Sequence, residues 1–131
     1  MEPGTREDFD RNLEIVLERL PATIRRLLDD VPLHVEDYPS RDVLERTGVA
    51  RPEWLCGLYT GIPLIERSVE QSRPAPDVVT LYREGILHLT ADTDGYVTEN
   101  ALQRQIRITL LHELGHHHGL SEEDLDEMGY G

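Results

Sequence analysis

Thr98-Glu99-Asn100-Ala101-Leu102-Gln103-Arg104-Gln105-Ile106-Arg107-Ile108-Thr109-Leu110-Leu111-His112-Glu113-Leu114-Gly115-His116-His117-His118-Gly119 is the stretch on which the reading of this chain turns. Thr98 is a helix N-cap by type, and Glu99 to His118 contains no proline and no glycine before Gly115. Leu102, Ile106, Leu110 and Leu114 recur every fourth residue and form an apolar stripe, which Ile108 and Leu111 widen. Gly119 is the residue type that leaves a helix through the left-handed region. One long amphipathic helix is therefore expected over Glu99–His118. Within it, Gly115 costs about 1 kcal/mol against alanine, a cost consistent with a neighbouring element passing close by.

His112 and His116 stand at i and i+4, about 40° apart around such a helix. Both imidazoles can close on one divalent ion, with Glu113 beside them to hold a water and take its proton. That pattern, in a helix that ends at the right offset, implies a metal-dependent hydrolase. His117 and His118 lie about 140° and 120° from His112 on opposite sides. They are expected to pack or to sit on the surface, with His118 helping to cap the helix end. His34 and His88 are isolated histidines in strand-like segments and are expected to be structural.

A catalytic zinc wants three protein ligands and an open fourth position. Glu122, six residues past His116 and just beyond the Gly119 turn, is the favoured third ligand. Asp126, Glu123, Asp124 and His34 remain alternatives. The acids after Ser121 also suit the first turn of a short final helix, to about Met128. An oxyanion donor besides the metal is expected. Tyr130, Tyr96 and Tyr82 are candidates, and nothing in the sequence chooses among them.

Outward from the motif, Phe9, Leu13, Val16, Leu17 and Leu20 follow helical spacing, and Ile24, Leu27 and Leu28 resume it after Pro21. A helix over residues 5–30, kinked or split at Pro21, is expected. Leu33–Asp37 alternates and reads as a short strand. A helical turn is expected at Arg41–Arg46, a second strand within Trp54–Tyr59, a turn at Gly61-Ile62-Pro63 and a polar loop over Glu66–Asp77. Val78–Tyr82 is the strongest strand signal, closed by Gly85. Leu87-His88-Leu89 is ambiguous between helix and strand. Asp92-Thr93-Asp94-Gly95 reads as a turn. Its acids suggest a calcium loop, but the closing glutamate of an EF-hand is missing.

The chain has 131 residues, the size of one domain, and a single-domain reading of 1–131 follows. No apolar run reaches the length that spans a bilayer, and the first residues do not read as a secretory leader. Cys56 is the lone cysteine, so a reducing cytoplasm is the expected home. The net charge is −13, and all 13 basic residues are arginine. Such a field disfavours nucleic acid and anionic membrane and favours cations and basic peptides, besides keeping the chain dissolved.

His112-Glu113-x-x-His116-x-x-Gly119 with an acid to follow resembles the zincin metallopeptidases, its H-E-x-x-H-x-x-G portion their metzincin branch. In that branch the third ligand, a histidine or aspartate, falls where Glu122 stands. The longer run to Leu125 is similar to the small bacterial zincin-like metallopeptidase domains, the minimal zincins. So are Leu58-Tyr59-x-Gly61-x-Pro63-Leu64-x-Glu66-Arg67-Ser68 and Pro76-Asp77-x-Val79-x-Leu81-Tyr82-Arg83. The resemblance implies a small α+β fold, a few-stranded mixed sheet packed on the helix that carries the motif near the C-terminus. It implies a zinc peptidase acting on peptide or protein, with His112, His116 and Glu122 as ligands and Glu113 as base. It also implies an edge strand that pairs with the substrate, for which Val78–Tyr82 is the candidate. The Met-turn methionine of metzincins has no clear counterpart, since Met128 lies too close to Glu122. So little chain follows the motif that a partner chain is a candidate for completing the cleft. Two rivals stand beside the peptidase: a non-catalytic, metal-stabilised module that binds peptides, and a hydrolase of non-peptide amides or esters.

Overall fold

The computed structural model describes residues 1–61, 77–119, 121, 123 and 124. The architecture is mixed α+β. Helix α1 (Pro3–Arg19) is followed by α2 (Ala22–Asp29), strand β1 (Leu33–Glu36), α3 (Arg41–Thr47), a 3₁₀ turn at Pro52–Trp54, β2 (Gly57–Thr60), β3 (Val78–Tyr82), α4 (Arg83–Thr90) and α5 (Glu99–His118). The break between α1 and α2 falls where Pro21 forces it: Leu20 is extended, with φ −66° and ψ 137°, as a residue before proline prefers. The second strand is shorter than expected, because Trp54 belongs to the 3₁₀ turn. The Ile62-Pro63 part of the expected turn and the Glu66–Pro76 loop lie outside the described residues, as does most of the expected final helix.

The sheet order is β1-β3-β2, with β1 parallel and β2 antiparallel to β3. This corrects one expectation. Val78–Tyr82 is the central strand, paired on both sides, and cannot be the edge that receives a peptide. Its strong β signal has a plain cause: Val79, Thr80, Leu81 and Tyr82 are all buried, so both faces of β3 are covered. Among the described residues the edges are the four-residue strands β1 and β2, as short edges usually are. A second correction concerns Gly85, which does not close a strand. The chain passes from Tyr82 directly into α4, and Gly85 sits in its first turn, where an added Cβ would stand 2.0 Å from the Leu55 carbonyl oxygen. The glycine lets α4 run against the backbone before β2. Leu87, His88 and Leu89 are accordingly helical.

Pairing places Leu33, Val35, Gly57, Tyr59, Val79 and Leu81 on one sheet face. That face packs on α5, whose stripe of Leu102, Ile106, Leu110 and Leu114 threads both core clusters. One cluster gathers Phe9, Leu13 and Val16 of α1 with Leu81 and Ile86; the other joins Leu20, Ile24 and Val31 to Val79 and Leu111. Ile108 departs from expectation: it is 48% exposed and lies one turn before His112 on the open side of α5.

A charge cluster ties the layers together. Arg83, at the start of α4, grips Asp10 of α1 with Nε and Nη2, both at 3.0 Å, and reaches Asp37 after β1 with Nη1 at 2.8 Å. Arg6 binds the same Asp37 carboxylate. The Arg6 hydrogen bond foremost, with help from Arg83, holds the Asp37 carboxyl below the usual carboxylate range. A depressed folded value contributes stability above the unfolded value of about 3.9, and that stability is lost as pH falls through the lowered one. Urea titrations should therefore show a loss of stability below about pH 4 that Asp37→Asn flattens. Arg83→Ala should cost about 3 kcal/mol at neutral pH, at the low end for a broken ion pair because Asp10 stays half exposed to water.

Candidate active site

Helix α5 is anchored at both ends as the sequence predicts. Thr98 Oγ1 accepts from the Ala101 amide at 3.1 Å. Gly119, at φ 69°, closes the other end by donating its amide to the carbonyls of Gly115 and His116. His112 and His116 stand on its open side, their ring centroids 4.5 Å apart. With Glu113 they form a group whose candidate ligand atoms all lie within 4.8 Å of one another. Two imidazoles with a carboxylate beside them are a donor set that suits a tetrahedral ion bound at roughly 2 Å from each nitrogen.

Glu113 differs from its neighbours. It is only 7% exposed, although His112 and His116 beside it are open. Strand β2 covers it. The Tyr59 amide donates to Glu113 Oε2 at 2.9 Å, and His116 Nδ1 lies 3.4 Å from the same oxygen. The amide is available for this because of strand parity. The Tyr82 amide donates to the Cys56 carbonyl, which makes Leu58 and Thr60 the residues bonded to β3 and turns the Gly57 and Tyr59 main chain outward. Gly57 makes the approach possible: an added Cβ would lie 2.7 Å from Thr109 Cγ2 and 3.3 Å from Glu113 Cγ.

His117 and His118 turn away from His112 as the helical angle requires. His117 is 1% exposed and stacks edge-on against Tyr59, while His118 Nε2 donates to the Leu27 carbonyl at 3.2 Å. His118 thus caps α2, not its own helix. Of the alternative third ligands, His34 is ruled out by position. It lies on β1, across β3 from β2, and on the sheet face opposite α5. Asp124 is engaged in a reciprocal cap: its carboxylate accepts from the Ser121 amide at 2.8 Å, and Ser121 Oγ accepts from the Asp124 amide at 3.1 Å. That backbone hydrogen bond holds the Asp124 carboxyl below its ordinary value. Glu123 is exposed. Glu122, Asp126, Met128 and Tyr130 lie outside the described residues.

Two of the tyrosines considered as oxyanion donors are misplaced for the role. Tyr82 is buried. Tyr96 precedes the start of α5, about 20 Å along the helix from His112. Sequence reasoning missed Tyr59, whose main chain rather than its side chain reaches the site. Its only local signal was a pair of glycines, Gly57 and Gly61, marking close approach on either side. Cys56, nearby and partly buried, has its thiol pushed up by burial and is no reactive thiolate. The Asp92–Gly95 segment is a turn closed by Asp92 Oδ1, which accepts from the amides of Asp94 and Tyr96.

A helix presenting two imidazoles and a shielded carboxylate beneath a sheet edge has the make-up of a metal-dependent peptidase. The family model of the zincin-like metallopeptidases matches residues 28–131, and the chain belongs to that family. No curated protein matches it. Among the described residues, no helix is long and apolar enough to cross a membrane.

The contact between β2 and α5 can be tested by bulk. Gly57→Ala should destabilise the protein by about 1–3 kcal/mol through overpacking against Thr109. Thr109→Ser removes the methyl in the way, and adding it to Gly57→Ala should recover most of the loss in thermal unfolding. Equal stability of the single and double variants would show that the strand does not rest where described.

Proposed function

We propose that the chain is a zinc-dependent peptidase in which His112, His116 and Glu122 hold the metal and Glu113 is the general base. The carrying observation is the Glu113 carboxylate: shielded from solvent, flanked by two exposed imidazoles at helical spacing, and oriented by a main-chain amide at 2.9 Å. A zinc ion held there would supply Lewis acidity, lowering the pKa of water and polarising the scissile carbonyl. Glu113 takes the proton of the attacking water at its carboxylate and returns it to the nitrogen of the leaving amine. The Tyr59 hydrogen bond fixes which way the carboxylate faces while it does so.

The substrate-binding edge in this reading passes from β3 to β2. The Tyr59 amide is taken by Glu113, whose carboxylate lies 3.4 Å from His116, so an extended peptide would pair with the remaining outward groups of β2 beside the His112–His116 face. Ile108, exposed one turn before His112, offers that peptide an apolar contact. The acidic surface favours basic over acidic peptides.

The protein purified from zinc-supplemented cells should carry about one zinc per chain, and His112→Ala or His116→Ala should lose it. Glu113→Gln should keep the metal and lose hydrolysis by about 10²-fold or more, measured on peptides that the wild type cleaves from a mixed library read by mass spectrometry. Full activity of Glu113→Gln would exclude it as the base. Peptide binding without cleavage by the zinc-loaded wild type would leave a binding module. Turnover of small esters with no peptide cleaved would point to a different hydrolase.

A further inference from the structure

Behind the covered carboxylate lies a second polar group that hydrolysis itself does not call for. Tyr59 donates its phenol proton to Asp77 Oδ1 at 3.0 Å. His117 Nδ1 stands 3.3 Å from the same phenol oxygen and 3.6 Å from Asp77 Oδ2. The side chains of His117 and Asp77 are 1% and 10% exposed. A phenol has one proton, and an ionised carboxylate can only accept. With that proton given to Asp77, the phenol oxygen keeps a lone pair to face His117 Nδ1. Gly61 makes room for the arrangement: at φ +136° it has no Cβ, and an added one would lie within 2.1 Å of Asp77 Oδ1 and 3.0 Å from the phenol oxygen.

These contacts fix β2 along α5. Gly57 rests on Thr109 and Glu113 at one end of the strand, and the Tyr59 phenol is held by His117 and Asp77 at the other. Between the two anchors lies the Tyr59 amide that meets Glu113. Asp77 immediately precedes β3, so the phenol also joins the edge strand to the central one. Among the described residues β2, four residues long, is bonded only to β3, and such a strand would otherwise fray with ease. The same residue thus carries the amide that orients the base and the hydroxyl that locks the strand.

We propose that Tyr59, Asp77 and His117 are positioning residues for the Glu113 carboxylate, acting through the main chain of β2. The proposal rests on the reading of Glu113 as the base, and its test separates the two. Tyr59→Phe keeps the ring and the amide and removes only the phenol oxygen. In the metal-free protein, amide hydrogen exchange followed by NMR should quicken by about tenfold or more at position 59, while Leu58 and Thr60, which bond to β3, keep their rates. In the zinc-loaded protein, kcat on a cleaved library peptide should fall by about tenfold to a hundredfold, with KM and zinc content within about twofold of wild type. Asp77→Ala should reproduce both effects. Asp77→Asn keeps an oxygen for the phenol and should recover most of kcat. Unchanged exchange at position 59 would overturn the proposal. So would equal acceleration at positions 58, 59 and 60, which would mean that the phenol merely stabilises the sheet. An unchanged kcat in Tyr59→Phe, where Glu113→Gln is inactive, would overturn it as well. Should Glu113→Gln stay active, the assignment of the base fails, and the exchange experiment still judges the strand lock by itself.

Discussion

The hydrogen bond from the Tyr59 amide to Glu113 Oε2, at 2.9 Å, joins the two halves of this structure. Glu113 belongs to α5, the helix that carries His112 and His116, and Tyr59 belongs to β2 of the sheet. A glutamate in the middle of a helix ordinarily swings into solvent. Here the absent side chain of Gly57 lets a strand settle over it, and the strand's outward parity supplies a donor at the right place. Burial and hydrogen bond therefore arrive together, and the carboxylate is kept from water without being left unsatisfied.

How much of this was legible in the chain depends on what each feature rests on. The histidine spacing, the Thr98 cap and the Gly119 stop are local, and α5 has the expected bounds, Glu99–His118. The split at Pro21 is equally local, since a proline acts on its own backbone and on the residue before it. Strand order is not local. A run such as Val78–Tyr82 announces burial, and burial on both faces is the mark of a central strand, so its strength argued against the edge role given to it. The true edge, Gly57–Thr60, reads weakly because half of its value lies in what its first residue lacks.

The site shows the same division. His112, Glu113 and His116 come from one helical turn and could be read from spacing alone. Tyr59 lies in β2 and Asp77 just before β3, far apart in sequence, and no periodicity links them to α5. Their convergence required the antiparallel register that sets Thr60 opposite Val78 and brings the residue before β3 beside the phenol. Main-chain roles are the hardest to foresee, because any residue has an amide. Only the glycines at 57 and 61 mark where the backbone had to come close.

The run His116-His117-His118 shows how a helix separates tasks among identical side chains. Each step turns by about 100°, so three neighbours face solvent, sheet and α2 in turn. His116 stays exposed on the same side as His112, His117 is enclosed against Tyr59 and Asp77, and His118 meets the last turn of α2 at the Leu27 carbonyl. The last two thus brace the end of α5 from two directions, one through a buried polar contact and one through a capped helix end. That bracing falls within two residues of His116. A metal site fails through small displacements of its ligands more readily than through loss of the whole fold. Both contacts fall at the end of the helix where Gly119 breaks the backbone and where fraying would otherwise begin.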